Sequence, residues 1–112
     1  MIGNPDIALI DLREKRERER HGKIPGSLHL PYNDLQENIS AGGVLRMLAT
    51  NPGKRLLFYC AFGERSAMAV QAAQYAGLTS ACHIEGGIDA WKRAGGELDD
   101  GSGGRRLGAA RF

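Results

Sequence analysis

Residues 55–77, RLLFYCAFGERSAMAVQAAQYAG, decide how the chain is read. Leu56 to Cys60 form a short apolar run of the kind a strand buried on both faces requires. The run stops at Cys60, and a glycine-containing loop follows. From Ser66 onward, Ala69, Val70, Ala73 and Ala76 recur at helical spacing, and Gly77 stands where a helix ends. Strand, tight loop and helix in direct succession are half of a βαβ unit. Cys60 is thus expected at the end of a buried strand, with Arg65 and Ser66 near the start of a helix.

The flanking segments repeat this alternation. Upstream, IALIDL (7–12) has the same buried-strand character. REKRERERHG (13–22) places Glu14 four residues before Arg18 and Lys15 four before Glu19, which predicts a solvated helical turn. Its interleaved glutamates cancel the field that nucleic acid would need. KIPGSLHLPYNDL (23–35) reads as turn, short strand and turn, and residues 34–50 as helix broken at Gly42-Gly43. NPGK (51–54) is a turn, without the glycine spacing and Ser/Thr of a phosphate loop. Downstream, SACHIE (80–85) predicts a third strand, Gly86-Gly87 a turn, and IDAWKRAGG (88–96) a short helix stopped by Gly95. The expectation is α/β with a parallel sheet, one domain over residues 1–97, and a glycine-rich mobile tail over 98–112.

Bulk properties narrow the function classes. At 112 residues the chain suits one domain with a real core, and 42% hydrophobic with 25% charged residues is ordinary for a globular protein. A net charge of +2 does not argue for nucleic acid or an anionic membrane. No apolar run approaches the roughly 20 residues of a membrane-spanning helix, and the N-terminus lacks a secretory layout, so the expected location is cytoplasmic. Cys60 and Cys82 are the only cysteines, a count and spacing that suit neither a disulfide framework nor a zinc pair. Cys82 and His83, adjacent on a strand, face opposite sides of the sheet, and neither metal nor cofactor is expected.

The chemistry expected at Cys60 follows from its place. In open α/β sheets ligands bind beyond the carboxyl ends of strands. The peptide N–H groups of Ala61, Phe62, Gly63, Glu64 and Arg65 are expected to curl toward one point at a helix start, where the macrodipole adds positive potential. Gly63 supplies the backbone conformation so tight a curl needs. Arg65 is expected to bring a cation to the rim, Glu64 to point outward, and Phe62 to form an apolar wall or contact surface. A thiol there ionises more readily, and an anion carried on its sulfur is stabilised by the same donors. Cys82, without that context, is read as a buried structural cysteine.

CAFGERS (60–66) resembles the active-site loop of the rhodanese family of sulfurtransferases: Cys, two variable residues, Gly, one variable residue, Arg, then Ser or Thr. LIDLRE (9–14), GKIPGSLHLP (22–31) and IEGGIDAWKRAGG (84–96) resemble three further family segments in the same order. The resemblance implies a central, mainly parallel five-stranded sheet flanked by helices, although the family's usual opening strand and helix have only about six residues available before LIDLRE. It implies that Cys60 carries sulfane sulfur as a persulfide, from a donor such as thiosulfate to cyanide, a small thiol or a protein thiol, with residues 61–66 binding substrate. Asp11 and Arg13 match family positions read as structural, His29 as a packing residue and Trp91 as a core anchor. An uncovered sheet edge is a liability, so the expected state is a monomer or weak homodimer.

Two other readings share these residues. Phosphatase or arsenate-reductase chemistry uses the same Cys–loop–Arg logic, but protein-phosphatase loops generally hold five residues between Cys and Arg. This chain has four, Ala61 to Glu64, a smaller cradle better suited to one sulfur. The second reading is a non-enzymatic sulfur carrier or binding module.

Overall fold

The computed structural model describes residues 6–50, 53–96, 98–99 and 106–107. Strands β1 (Ile7–Asp11), β2 (Leu28–His29), β3 (Arg55–Tyr59) and β4 (Cys82–His83) form one sheet in the order β2-β1-β3-β4. Every pairing in it is parallel. Helices α1 (Lys15–His21), α2 (Leu35–Ile39), α3 (Val44–Thr50), α4 (Glu64–Tyr75) and α5 (Gly87–Arg93) fill the connections. A further pair, β5 (Leu98–Asp99) and β6 (Arg106–Leu107), is antiparallel. The remainder of the expected mobile tail lies outside the described residues. No helix among the described residues is long and apolar enough to cross a membrane.

The expected five-stranded sheet is corrected to four strands among the described residues. Among the described residues no strand precedes β1 (Ile7–Asp11). The SACHIE segment also contributes only Cys82 and His83 to the sheet.

Strand alternation divides the side chains between two unequal faces. One face packs Ile10, Leu12, Leu56, Phe58 and Cys60 against Leu35, Ile39, Leu45, Ala69, Ala73 and Leu78. The other holds a smaller cluster of Ile24, Tyr59, Ile88 and Leu98, flanked by Leu9, Ile84 and Trp91. Each fully buried Leu, Ile or Phe contributes about 1.5–3 kcal/mol. The first face has eight of these residues and the second three, so the face covered by α2, α3 and α4 carries most of the hydrophobic stabilisation. The small residues of α4 let it approach the sheet closely: Ser66, Ala69 and Ala73 form its buried stripe.

The register fixes what meets at the carboxyl end of the sheet. Asp11 stands beside Tyr59, and Phe58 beside His83. Tyr59 and Cys60 are consecutive and therefore serve opposite faces.

Candidate active site

Cys60 immediately follows β3, where the chain turns into the loop that opens α4. Gly63, at φ +108°, is the residue before the helix, a left-handed conformation that L side chains rarely adopt. This turn carries the Gly63 N–H to 3.1 Å from Cys60 Sγ, and the Ser66 N–H to 3.4 Å from it. Ser66 Oγ lies 3.6 Å from the same sulfur and donates to the Gly63 carbonyl at 3.1 Å in one of its orientations. Two main-chain donors at the positive end of a twelve-residue helix thus point at one sulfur.

A Gly-Gly step on a neighbouring element holds this loop in shape. The Ile88 N–H donates to the Cys60 carbonyl at 2.9 Å, and the Asp89 N–H to the Ala61 carbonyl at 3.1 Å. The start of α5 therefore sits directly on the loop. At Gly87 a Cβ would overlap the Cys60 carbonyl oxygen and the Ala61 backbone, at 2.5–2.6 Å. At Gly63 it would meet the Gly86 nitrogen at 3.0 Å. The sequence marks residues 86–87 as a turn; the structure adds that they are the seat of the loop.

Arg65 stands in the first turn of α4, as expected, but its charge is already paired. Its guanidinium donates to both carboxylate oxygens of Glu17 at 2.9 Å, a bidentate pair between α4 and α1. These bonds hold the Glu17 carboxyl down at about 2 and raise the affinity of Arg65 for its proton. Cys60 is close enough for its charge to act on Arg65 as well. The arginine therefore fastens one helix to the other and lends the sulfur its field from a distance. Helix α1 is correspondingly less solvated than its charge pattern predicts. Lys15 does pair with Glu19 at 3.8 Å on the exposed side, but Arg18 turns inward, 3.3 Å from Asp11, and Glu17 is committed to Arg65.

On the opposite face Asp11 and Arg13 form a closed, fully buried knot. Arg13 donates to Asp11 through its backbone N–H, Nε and a terminal nitrogen, each at 3.0 Å, and to the Gly22 carbonyl at 2.7 Å. Tyr59 Oη lies 2.9 Å from Asp11 Oδ2 and 3.0 Å from Ser27 Oγ, and accepts the Ile24 N–H at 3.2 Å. Burial raises the Tyr59 hydroxyl to about 12, so it is a neutral donor here. Asp11 and Arg13 thus tie the end of β1 to the loop at Gly22 and, through Tyr59, to residues 24–27. His29 Nε2 donates to the Arg13 carbonyl at 2.7 Å. Trp91 packs over Gly96, where any side chain would strike the indole.

The structure brings Cys60, Gly63 and Ser66 together and separates the rest of the predicted loop set. Ala61 is half-buried, Glu64 is exposed as expected, and Phe62 is 65% exposed. Among the described residues, the amides within reach of the sulfur are those of Gly63 and Ser66, rather than all five of residues 61–65. Cys60 was expected at the mouth of the sheet. It lies beneath the loop with no accessible surface, because α5 closes over its carbonyl side and Ser66 over its sulfur. Beside the loop, a cavity of about 310 Å³ is lined by Ala61, Phe62 and Ile88 with Arg13, Glu17 and Lys92 among its charged groups. Burial and the neighbouring Arg13 lower the proton affinity of Lys92.

One polar neighbour of the site was missed by sequence reasoning. His83 Nδ1 lies 3.0 Å from Ser66 Oγ. The reading of Cys82 and His83 as facing opposite sides is met in the structure: Cys82 Sγ approaches the Leu56 carbonyl at 3.6 Å, while His83 meets α4. The signal available was register, since a residue level with Phe58 on the next strand lies under the helix that starts just beyond Cys60.

The comparisons with known proteins agree with this architecture. The family model for the rhodanese-like domain matches residues 1–94. A mouse protein named thiosulfate sulfurtransferase/rhodanese-like domain-containing protein 3 is 35% identical over 96 residues, covering 81% of this chain and 61% of its own length. Bacterial tRNA uridine(34) hydroxylases also match, one from Enterobacter at 29% identity, of which the chain spans 26%. Among solved structures, a Rhodopseudomonas palustris protein of unknown function, described as a possible tyrosine phosphatase, superposes with a TM-score of 0.78 at 41% identity over 88% of this chain and 74% of that one. A rhodanese-related protein from Thermoplasma volcanium superposes with a TM-score of 0.70 at 29% identity, covering 85% of each chain. The chain belongs to the rhodanese-like domain family.

Proposed function

We propose that this chain is a sulfurtransferase whose Cys60 accepts sulfane sulfur from a donor such as thiosulfate and passes it to a thiophilic acceptor. The observation that carries the reading is the pair of main-chain N–H groups, of Gly63 and Ser66, directed at Cys60 Sγ. Donors fixed in the backbone do not reorganise when charge arrives, and they favour thiolate over thiol. The Cys60 thiolate attacks the outer sulfur of thiosulfate; the new S–S bond forms as the old one breaks, and sulfite leaves with the bonding electrons. The persulfide carries one negative charge, which the loop amides and the α4 dipole oppose. Cyanide or a thiolate then takes the outer sulfur and returns Cys60, a covalent cycle with ping-pong kinetics. Because Cys60 is covered, the donor approaches through the cavity walled by Ala61 and Phe62 and displaces that part of the loop. Lys92 brings positive charge to this entrance, with the carboxylates of Glu17 and Asp89 also on its lining.

A phosphatase reading has a specific observation in its favour, the description of the Rhodopseudomonas structure. Two features weigh against it: four residues separate Cys60 from Arg65, and Arg65 is held by Glu17 in a bidentate pair instead of being free to grip phosphate. The deciding experiment is an intact mass after incubation with thiosulfate. One added sulfur, removed by dithiothreitol and missing in Cys60→Ala, is expected, together with thiocyanate release exceeding turnover of an aryl phosphate. A protein that gains no sulfur but hydrolyses the phosphate ester would overturn the proposal. The persulfidated chain handing its sulfur to a protein thiol, rather than to cyanide, would make the acceptor a macromolecule. Its expected location is cytoplasmic and its expected state a monomer or weak homodimer.

A further inference from the structure

Behind Cys60 stands a group that the sulfur-transfer cycle above does not use. Cys60 Sγ, Ser66 Oγ and His83 Nδ1 form a continuous line of contacts at 3.6 and 3.0 Å, from the end of β3 through the first turn of α4 to β4. Ser66 is fully buried and His83 half-buried. The Ser66 hydroxyl has a single proton and three acceptors within reach: the Gly63 carbonyl, His83 Nδ1 when that nitrogen is bare, and the Cys60 sulfur. Which one receives it depends on the histidine.

We infer that His83 is a positioning residue for the reaction: with a proton on Nδ1 it donates to Ser66 Oγ and turns the serine hydroxyl onto the Cys60 sulfur as a third donor to the thiolate. The inference rests on Cys60 being the nucleophile. Ionisation along this line is balanced. The thiol proton passes to Ser66 Oγ, the serine proton passes to a bare His83 Nδ1, and the products are a thiolate accepting from Ser66 and an imidazolium donating to it. The half-buried imidazolium then equilibrates with water, giving a covered thiol a proton exit that its own surroundings lack. Of the charged groups beside this line, α4 supplies Arg65, paired with Glu17, and the exposed Glu64. On the β4 segment itself, Cys82 faces the other side and Glu85 is exposed.

The test is the pH dependence of Cys60 alkylation by iodoacetamide, followed peptide by peptide in the whole chain over roughly pH 5 to 9. The midpoint reports ionisation, whereas the plateau reports access, so a loop merely loosened by substitution changes the plateau alone. Ser66→Ala is expected to raise the midpoint by about one unit, reducing the thiolate fraction near neutrality about tenfold, the effect of one charge-assisted hydrogen bond. His83→Phe, which keeps a ring but has no Nδ1, is expected to raise it by about half as much, and His83→Asn to return most of that shift through its amide donor. In the Ser66→Ala background His83→Phe is expected to add nothing. A His83→Phe midpoint equal to the native one, an additive shift in the double variant, or a His83→Asn midpoint as high as that of Phe would each overturn the inference. His83→Ala serves the same protocol should the phenylalanine variant fail to fold. Alkylation needs no sulfur donor, so the sulfurtransferase proposal fails or stands separately by the thiosulfate mass measurement.

Discussion

The ends of β1 and β3 are neighbours in register, yet they treat an anionic side chain in opposite ways. At the end of β1, Asp11 is met by the Arg13 guanidinium, by Arg18 and by the Tyr59 hydroxyl, and its charge is fully opposed. At the end of β3, one residue beyond Tyr59 and on the other face, the Cys60 sulfur is met by main-chain amides and a serine hydroxyl, with the nearby guanidinium held by Glu17. The first arrangement is saturated and rigid. The second offers partial charges to an atom that has yet to acquire its own. Position at a strand end does not make a site; what separates these two is whether the anion arrives with its partner already bound.

Substitutions test that contrast. Asp11→Ala leaves a buried arginine without its counter-ion, and a loss of about 3–5 kcal/mol in urea unfolding is expected; a loss under about 1 kcal/mol would mean the knot is not what holds the β1 end. Gly87→Ala drives a methyl group into the Cys60 carbonyl and the Ala61 backbone. Given its φ of +66° as well, a loss of about 1–3 kcal/mol together with reduced sulfur loading is expected. Full loading in that variant would show that the loop holds its shape without α5.

Smaller effects are expected where solvent screens the charges. The Glu17 carboxyl is displaced from 4.5 to about 2 by its hydrogen bonds from Arg65, in the partly exposed pair on α1. Its folded pKa lies below the unfolded one, so its contribution is complete above pH about 4.5 and lost as pH falls toward about 2. Glu17→Gln is expected to cost no more than about 1 kcal/mol at neutral pH. The gap in melting temperature between native and variant should close over that acid window, and a gap that widens there would contradict the assignment. Lys92→Gln, at the cavity entrance, is expected to raise the KM for thiosulfate about two- to threefold in low salt and by less as screening increases. A change confined to kcat would place Lys92 elsewhere in the cycle.

Much of this is legible in the sequence. The sequence 55–77 contains a strand, a thiol, a left-handed glycine and a helix in chain order, and local chemistry sufficed to put Cys60 at the start of α4. The knot was accessible only by its motif, since the contacts of Asp11 reach Tyr59, 48 residues away. The pairing of Arg65 lies beyond local sequence for a similar reason: its partner Glu17 is as distant in the chain, and nothing local favours that glutamate over solvent. The contact of His83 with Ser66 is invisible to local sequence, because it depends on strand register and on Ser66 falling on the inner stripe of α4. The helix in fact starts at Glu64, two residues ahead of the apolar periodicity, which is what carries Ser66 into the first turn. The sheet has one strand fewer among the described residues than the resemblance implies.

The clasp between Gly87 and the backbone of residues 60–61 also limits what the fold can become. A loop lengthened by one residue has to place the extra peptide on its outer side, toward Phe62 and Glu64, because the first turn of α5 is docked on the Cys60 and Ala61 carbonyls. Widening it on the inner side would break the amide bonds that α5 donates to those carbonyls. Loop shape and helix seat are therefore coupled on the side of residues 86–87, where a methyl group would already strike the 60–61 backbone.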